Sequence, residues 1–180
     1  GAITLAPTEL NEKIECEGIT PEAAEPKTSE AGGTPEKKAP YTVCFVCTGN
    51  TCRSPMAQAV LRAHRPDLRV LSAGIATRGG KPIAQNAATA LHRAGIENTP
   101  ANPYESHLSA PLDPITVLQC DKIIGLTGDH AMAVLMAYPE AASKVAVFPH
   151  DIADPFGGDE ETYAACLREI EAGLREMFPW

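Results

Sequence analysis

Tyr41-Thr-Val-Cys-Phe-Val-Cys-Thr-Gly-Asn-Thr-Cys-Arg-Ser-Pro-Met-Ala-Gln-Ala-Val-Leu-Arg-Ala63 changes its texture twice within 23 residues, and its reading decides the fold. The first seven residues are short, apolar and rich in β-branched and aromatic side chains, the pattern of a buried strand. A Gly/Asn/Thr turn follows. Ser54-Pro55 then opens a helix, with Ser54 expected as the cap and Pro55 at the first helical position, where its ring presets φ and its missing N–H costs nothing. The same alternation repeats downstream. Strands are expected over Arg69–Ile75, Leu118–Leu126 and Lys144–Phe148. Helices are expected over about Ala84–Ala94 (ended by Gly95), over Asp129–Tyr138 (stopped by Pro139) and over Glu160–Met177, the last with Tyr163, Cys166, Leu167, Ile170 and Leu174 on one face. Strands alternating with helices imply an α/β domain built on a parallel sheet with helices on both faces, where ligands bind at the carboxyl ends of the strands.

At 180 residues, with 44% hydrophobic and 21% charged residues, the chain has room for one well-buried domain plus an appendage. The appendage is residues 1–40, with five prolines and eight glutamates against four lysines. This Pro/Glu-rich composition without periodicity reads as a tail or linker ahead of a domain at 41–180. Its apolar positions Ile3, Leu5, Leu10 and Ile14 can dock on the domain or belong to the end of a partner module joined through the tail. A net charge of −8 with only 15 Lys and Arg argues against a nucleic-acid partner. No apolar run reaches the roughly 20 residues that cross a bilayer, and the first residues lack the order of a signal peptide. The expectation is a cytoplasmic protein that binds no membrane. Six cysteines without the spacing of a secreted scaffold fit reduced thiols, and Cys44-x-x-Cys47 has no second Cys or His pair to complete a zinc site.

Cys47 and Arg53 carry the chemistry. The strand ends on a thiol, five residues intervene, and an arginine stands where the helix begins. The backbone N–H groups of Thr48, Gly49, Asn50, Thr51 and Cys52, together with the helix N-terminus, can converge on one point and make an anion site sized for phosphate. The same positive field favours the thiolate form of Cys47. Arg53 offers a planar fork to two phosphate oxygens and keeps its charge throughout. Gly49 is expected to permit the tight backbone, and Asn50 and Ser54 to brace the loop and hydrogen-bond the sulfur. Both Cys47 and Cys52 lie in this one loop, so oxidation of Cys47 is expected to end in a Cys47–Cys52 disulfide.

Val46-Cys-Thr-Gly-Asn-Thr-Cys-Arg-Ser-Pro-Met-Ala57, Ser72-Ala-Gly74, His107 followed by Leu112, and Asp154-Pro-Phe-Gly-Gly158 together resemble the low-molecular-weight protein-tyrosine-phosphatase family, and within it the bacterial protein-arginine-phosphatase branch. The resemblance implies a four-stranded parallel sheet flanked by helices and a cysteinyl-phosphate mechanism acting on phosphorylated proteins. By it, Cys47 attacks phosphorus, Arg53 binds the oxygens, Ser54 stabilises the thiolate, and Asp154 protonates the leaving group and later activates water. His107 pairs with Asn50 as a brace. No metal and no organic cofactor is implied.

Thr51 and Phe156 bear on the substrate. Tyrosine-directed members of the family tend to carry a bulkier aliphatic residue at the position of Thr51 and aromatic pairs after the Asp-Pro. A Thr hydroxyl suits a polar, planar phosphoguanidinium, and Phe156 can stack on that plane. Phosphoarginine is therefore the expected substrate, with phosphotyrosine as the alternative. A thiol-coupled arsenate reductase is a third reading, disfavoured because Cys120 lacks a nearby second thiol and because Asp154 points to hydrolysis. Asp151 competes with Asp154 as acid but lacks the following proline. His64, His92, His130 and His150 are expected in solvent or core, Cys44 and Cys120 within apolar strands, and Cys166 on the apolar face of the last helix.

Overall fold

The computed structural model describes residues 39–180. The expected tail, its apolar stretch and Cys16 lie outside these residues, apart from Ala39 and Pro40. Strand β1 (Thr42–Cys47) is followed by α1 (Arg53–His64), β2 (Arg69–Gly74), α2 (Gln85–Arg93), α3 (Pro114–Gln119), β3 (Lys122–Gly125), α4 (Gly128–Ala137), β4 (Val145–Val147) and α5 (Glu160–Met177). Short 3-10 turns occupy Tyr104–Ser106 and Pro139–Lys144. All four strands are parallel, in the order β2-β1-β3-β4.

Strand β1 is buried along its whole length, and its alternation divides the core in two. Val43 and Phe45 face a large cluster with Met56, Val60 and Leu61 of α1, Leu91 of α2, and Leu167, Ile170 and Leu174 of α5. Cys44 and Val46 face a smaller cluster with Val117, Ile123 and Val134, covered by α3 and α4. Helices on both faces explain why the strands are short and mostly apolar rather than alternating in polarity.

Three expectations are corrected. Leu118 and Gln119 belong to α3 rather than to the third strand, because Asp113 caps a helix at Thr116 N (2.7 Å) and Pro114 takes its first position. Cys120 is consequently a buried helix-end residue, not a strand residue. Ser54 is not the cap of α1 and Pro55 is not its first residue: Cys52 holds the cap position without a side-chain cap bond, Arg53 is first, and Ser54 is inside the helix with its hydroxyl turned to the loop. The remaining elements agree with expectation to within a few residues, and α5 agrees at both ends.

Gly173 shows how closely α5 is seated. A Cβ built there would lie 2.2 Å from Cε2 of Phe148, a ring buried in the large cluster. Ala ordinarily gains about 1 kcal/mol over Gly inside a helix, but overpacking a filled core costs about 1–3 kcal/mol. Because the Phe148 ring is itself buried, the clash is expected to win. Gly173→Ala should lower the urea midpoint at an unchanged m value; a raised midpoint would show that Phe148 can move aside.

Candidate active site

Strand β1 pairs with β2 on one side and β3 on the other, so the chain departs in opposite directions from its carboxyl end, the place where an open parallel sheet leaves a crevice. A cleft of about 460 Å³ opens there. Cys47, Thr48, Gly49, Asn50, Thr51, Cys52 and Arg53 line it from the loop, and Asp154 and Phe156 from the segment before α5. Every expected phosphate-loop residue except Ser54 thus faces one space, and Ser54 stands directly behind it.

The hydrogen positions around the sulfur follow from counting. Ala110 N–H donates to Asn50 Oδ1 at 2.9 Å, which fixes the amide so that Nδ2 is the donor toward Ser54 Oγ (2.8 Å) and Ser72 Oγ (3.0 Å). Ser54 Oγ therefore accepts from Asn50 and has its own proton free for Cys47 Sγ, 3.0 Å away. Asn50 N–H donates to the same sulfur at 3.3 Å. Two donors converge on one sulfur, the arrangement a negative charge needs.

Asn50 bears the backbone strain of the loop. Its φ is +59°, in the left-handed region that Asn tolerates better than most side chains, whereas Gly49 is outside that region and a Cβ there would meet only Thr51 Oγ1, at an ordinary 3.9 Å. The expectation that Gly49 permits the tight turn is therefore corrected: the turn is made at Asn50. The glycine that the loop cannot do without is Gly74 at the end of β2, where a Cβ would approach Thr48 O to 2.7 Å and Asn50 Cβ to 3.1 Å. His107 Nε2 donates to Asn50 O at 2.8 Å, the bracing contact expected of it.

Arg53 is buried beneath the cleft. It donates from one Nη to Ile152 O at 2.9 Å, and the other Nη lies 3.7 Å from Asp154 Oδ2. Its Nε–H is buried without a partner among the described residues, a donor that an oxyanion in the cleft would satisfy. Asp154 is half-exposed, and Phe156 N–H donates to its Oδ1 at 3.1 Å. Phe156 itself is 79% exposed at the rim, free to meet a substrate. Cys52 Sγ lies 3.2 Å from the Tyr163 hydroxyl.

Residues that sequence reasoning missed also line the cleft: Thr77, Arg78, Gly79 and Lys81 on the loop after β2. Two positive-φ glycines, Gly79 and Gly80, and bonds from Gly80 N–H to Ser109 O (2.8 Å) and Lys81 N–H to Ser109 Oγ (3.0 Å) shape this loop. Its signal was the Arg78-Gly-Gly-Lys81 tetrapeptide close behind Ser72-Ala-Gly74. His130 was expected in solvent or core. It is buried, and it reaches Thr48 Oγ1 at 3.0 Å. Asp151 accepts Gly128 N–H at the start of α4, at 2.9 Å, a surface role. Cys120 does have a thiol beside it, contrary to expectation. Cys44 and Cys120 share the smaller cluster, where the Cys120 thiol and then burial push Cys44 well above its ordinary value. Alternation along β1 turns Cys44 away from the cleft that Cys47 lines, so the two do not form a Cys-x-x-Cys pair.

An α/β sheet carrying a Cys-x5-Arg loop at a helix start, with an Asp-Pro segment across the cleft, defines the class of cysteine-dependent phosphatase domains. The family described as low molecular weight phosphotyrosine protein phosphatase matches residues 42–179, and the chain belongs to it. A protein-arginine-phosphatase of Geobacillus stearothermophilus is 36% identical over 140 residues, 73% of this chain and 90% of the relative. The low molecular weight protein-tyrosine-phosphatase Wzb of Escherichia coli strain K12 is 30% identical over 142 residues, 74% of this chain and 90% of the relative. A solved structure of a YwlE arginine phosphatase variant with a phosphorylated active-site serine is 31% identical, covers 76% of this chain and 92% of that chain, and superposes with a TM-score of 0.67.

Both imidazoles behind the loop give a pH dependence with a definite sign. Burial lowers the pKa of His107 from 6.5, outweighing its bond to Asn50 O, and burial and then Arg53 lower that of His130. The unfolded chain therefore binds protons more readily, and this contribution to stability is full above the ordinary value and lost as pH falls through the depressed ones. Urea unfolding at pH 7.5 and pH 5 should show lower stability at pH 5, and His107→Gln, which keeps an N–H donor, should shrink the difference. An undiminished difference in that variant would remove His107 as its source.

Proposed function

We propose that the protein removes phosphoryl groups from phosphoarginine in proteins by way of a cysteinyl-phosphate, in the cytoplasm. Cys47 attacks phosphorus as thiolate, supported in that form by Ser54 O–H and Asn50 N–H. The loop N–H groups and the Arg53 fork take the phosphoryl oxygens, whose charge is largest in the transition state. Asp154, at the mouth of the same cleft, hands its proton to the leaving nitrogen and in the second step takes one from the attacking water. Asp151 is a weaker candidate for that acid because it does not line the cleft and instead accepts Gly128 N–H at the start of α4. The observation that carries the reading is the sulfur with two converging donors in one cleft with a buried arginine whose Nε–H has no partner.

Five described cysteines, all buried and none in a disulfide, support a reducing compartment, and no described helix is long and apolar enough to cross a membrane. Cys47→Ser is expected to lose essentially all turnover of an aryl phosphate while retaining vanadate or phosphate binding, because only the nucleophile is gone. Undiminished turnover would defeat the mechanism.

Thr51 supports phosphoarginine over the alternative phosphotyrosine. It lines the cleft between nucleophile and clamp, and its hydroxyl offers a guanidinium N–H a partner that an aliphatic side chain cannot. Phe156 at the rim supplies a face on which the guanidinium plane can stack. Thr51→Ile is expected to lower kcat/KM on a phosphoarginine peptide and to hold or raise it on a phosphotyrosine peptide, changing their ratio by more than the ~10-fold that a methylene supplies. Equal losses on both would leave Thr51 as loop packing and favour phosphotyrosine.

A further inference from the structure

Thr127, His130 and Thr48 form a hydrogen-bonded chain that the mechanism above leaves unused. His130 Nδ1 lies 3.1 Å from Thr127 Oγ1, and Nε2 lies 3.0 Å from Thr48 Oγ1. Thr127 is the cap of α4, so its Oγ1 already accepts His130 backbone N–H at 3.1 Å. The Thr127 hydroxyl proton has one available acceptor among the described residues, the ring Nδ1. An Nδ1 that accepts is bare, and the neutral imidazole then carries its proton on Nε2, where it donates to Thr48 Oγ1. The opposite tautomer would load Thr127 Oγ1 with two donors and leave its proton without an acceptor among the described residues.

The neutral form is the relevant one. Burial, then the charge of Arg53, push His130 below its ordinary value, although Asp129 on its own helix and Asp151 and Asp154 beyond β4 act in the opposite sense. Thr48 thus receives a hydrogen bond and keeps its own proton, and its side chain lines the cleft with Cys47 and Arg53. A guanidinium has only donors to offer that proton, whereas phosphoryl oxygens are acceptors.

We propose that His130 is a positioning residue which, through Thr48, directs a side-chain O–H at a phosphoryl oxygen of the substrate, adding one donor to those of the loop backbone and Arg53. The proposal rests on the phosphatase reading but assigns roles to His130, which that reading does not use, and to the side chain of Thr48, of which it uses only the backbone N–H.

Its test is steady-state turnover of para-nitrophenyl phosphate, with competitive inhibition by inorganic phosphate, in the full chain. Thr48→Val and His130→Leu should each weaken phosphate inhibition and lower kcat/KM about 10-fold, the loss of one hydrogen bond to a charged group. Thr48→Ser and His130→Gln, which retain the O–H and an N–H donor, should recover most of that loss. The double variant Thr48→Val/His130→Leu should be no worse than Thr48→Val, because one residue acts through the other. Losses that multiply in the double variant overturn the relay, as does unchanged phosphate inhibition in Thr48→Val. Should His130→Leu fail to fold, the exposed Thr48 position decides alone, by Thr48→Val against Thr48→Ser. Retained ester turnover in Cys47→Ser would count against the phosphatase reading itself, whereas an inactive Cys47→Ser beside an unaffected Thr48→Val counts only against the relay.

Discussion

Asn50 is the residue through which the phosphate loop is attached to the rest of the domain. Its amide binds Ser54 in α1, Ser72 in β2 and Ala110 N–H in the strap that follows His107, its N–H points at Cys47 Sγ, and its carbonyl receives His107. A fully buried side chain with every polar atom satisfied can hold a backbone at φ +59° that the loop alone would abandon. The tie extends further: Ser72 O–H donates to Gln58 Oε1 at 2.8 Å, and Gln58 Nε2 donates to Val70 O at 3.0 Å. The curvature of the loop is thereby set by the first helix and the second strand together.

That attachment explains why the helix behind the loop starts without a side-chain cap. Helices α3, α4 and α5 each begin with an Asp or Thr whose oxygen accepts a first-turn N–H, whereas the cap position of α2 is Ala84, whose methyl group cannot accept one. At α1 the corresponding residue is Cys52, which makes no such bond, and Ser54 spends its hydroxyl on the sulfur. The first-turn N–H groups of α1 are thereby left to face the cleft, where an anion would take the place of the missing cap.

The strand-loop-helix unit was legible because its signals are local: an apolar run, Gly-Asn, then Ser-Pro before helical residues. The order of the elements and the closing helix were legible from periodicity for the same reason. What escaped depends on contacts distant in sequence. The third strand was drawn too long because Val117 and Leu118 are apolar, yet Leu118 is 80% exposed on a six-residue helix, and apolarity alone does not separate the two. His130 was passed over because the segment around it carries no matching motif; its partner, Thr48, lies 82 residues away. Cys44 and Cys120 were read apart because only the packing of α3 over β1 brings them together. Gly49 was credited with the turn from its type, while the left-handed residue proved to be the one whose side chain the surroundings could hold.

Net charge is a poor guide to what this cleft binds. The chain carries −8, half of it in residues 1–40, and an acidic protein should repel a dianion at long range. At physiological ionic strength, charges in solvent are screened beyond roughly 8 Å, so the groups at the cleft decide. Those groups are Arg53 below, and Arg78 and Lys81 at the rim, with Asp154 as the one carboxylate among the lining residues. Arg53 is buried, so its short-range hydrogen bonds are screened little by salt, while the rim cations are in solvent. An anion approaching the cleft would therefore meet the rim cations through screening solvent, and inside the cleft would meet the donors of Arg53 at short range, where salt screens little.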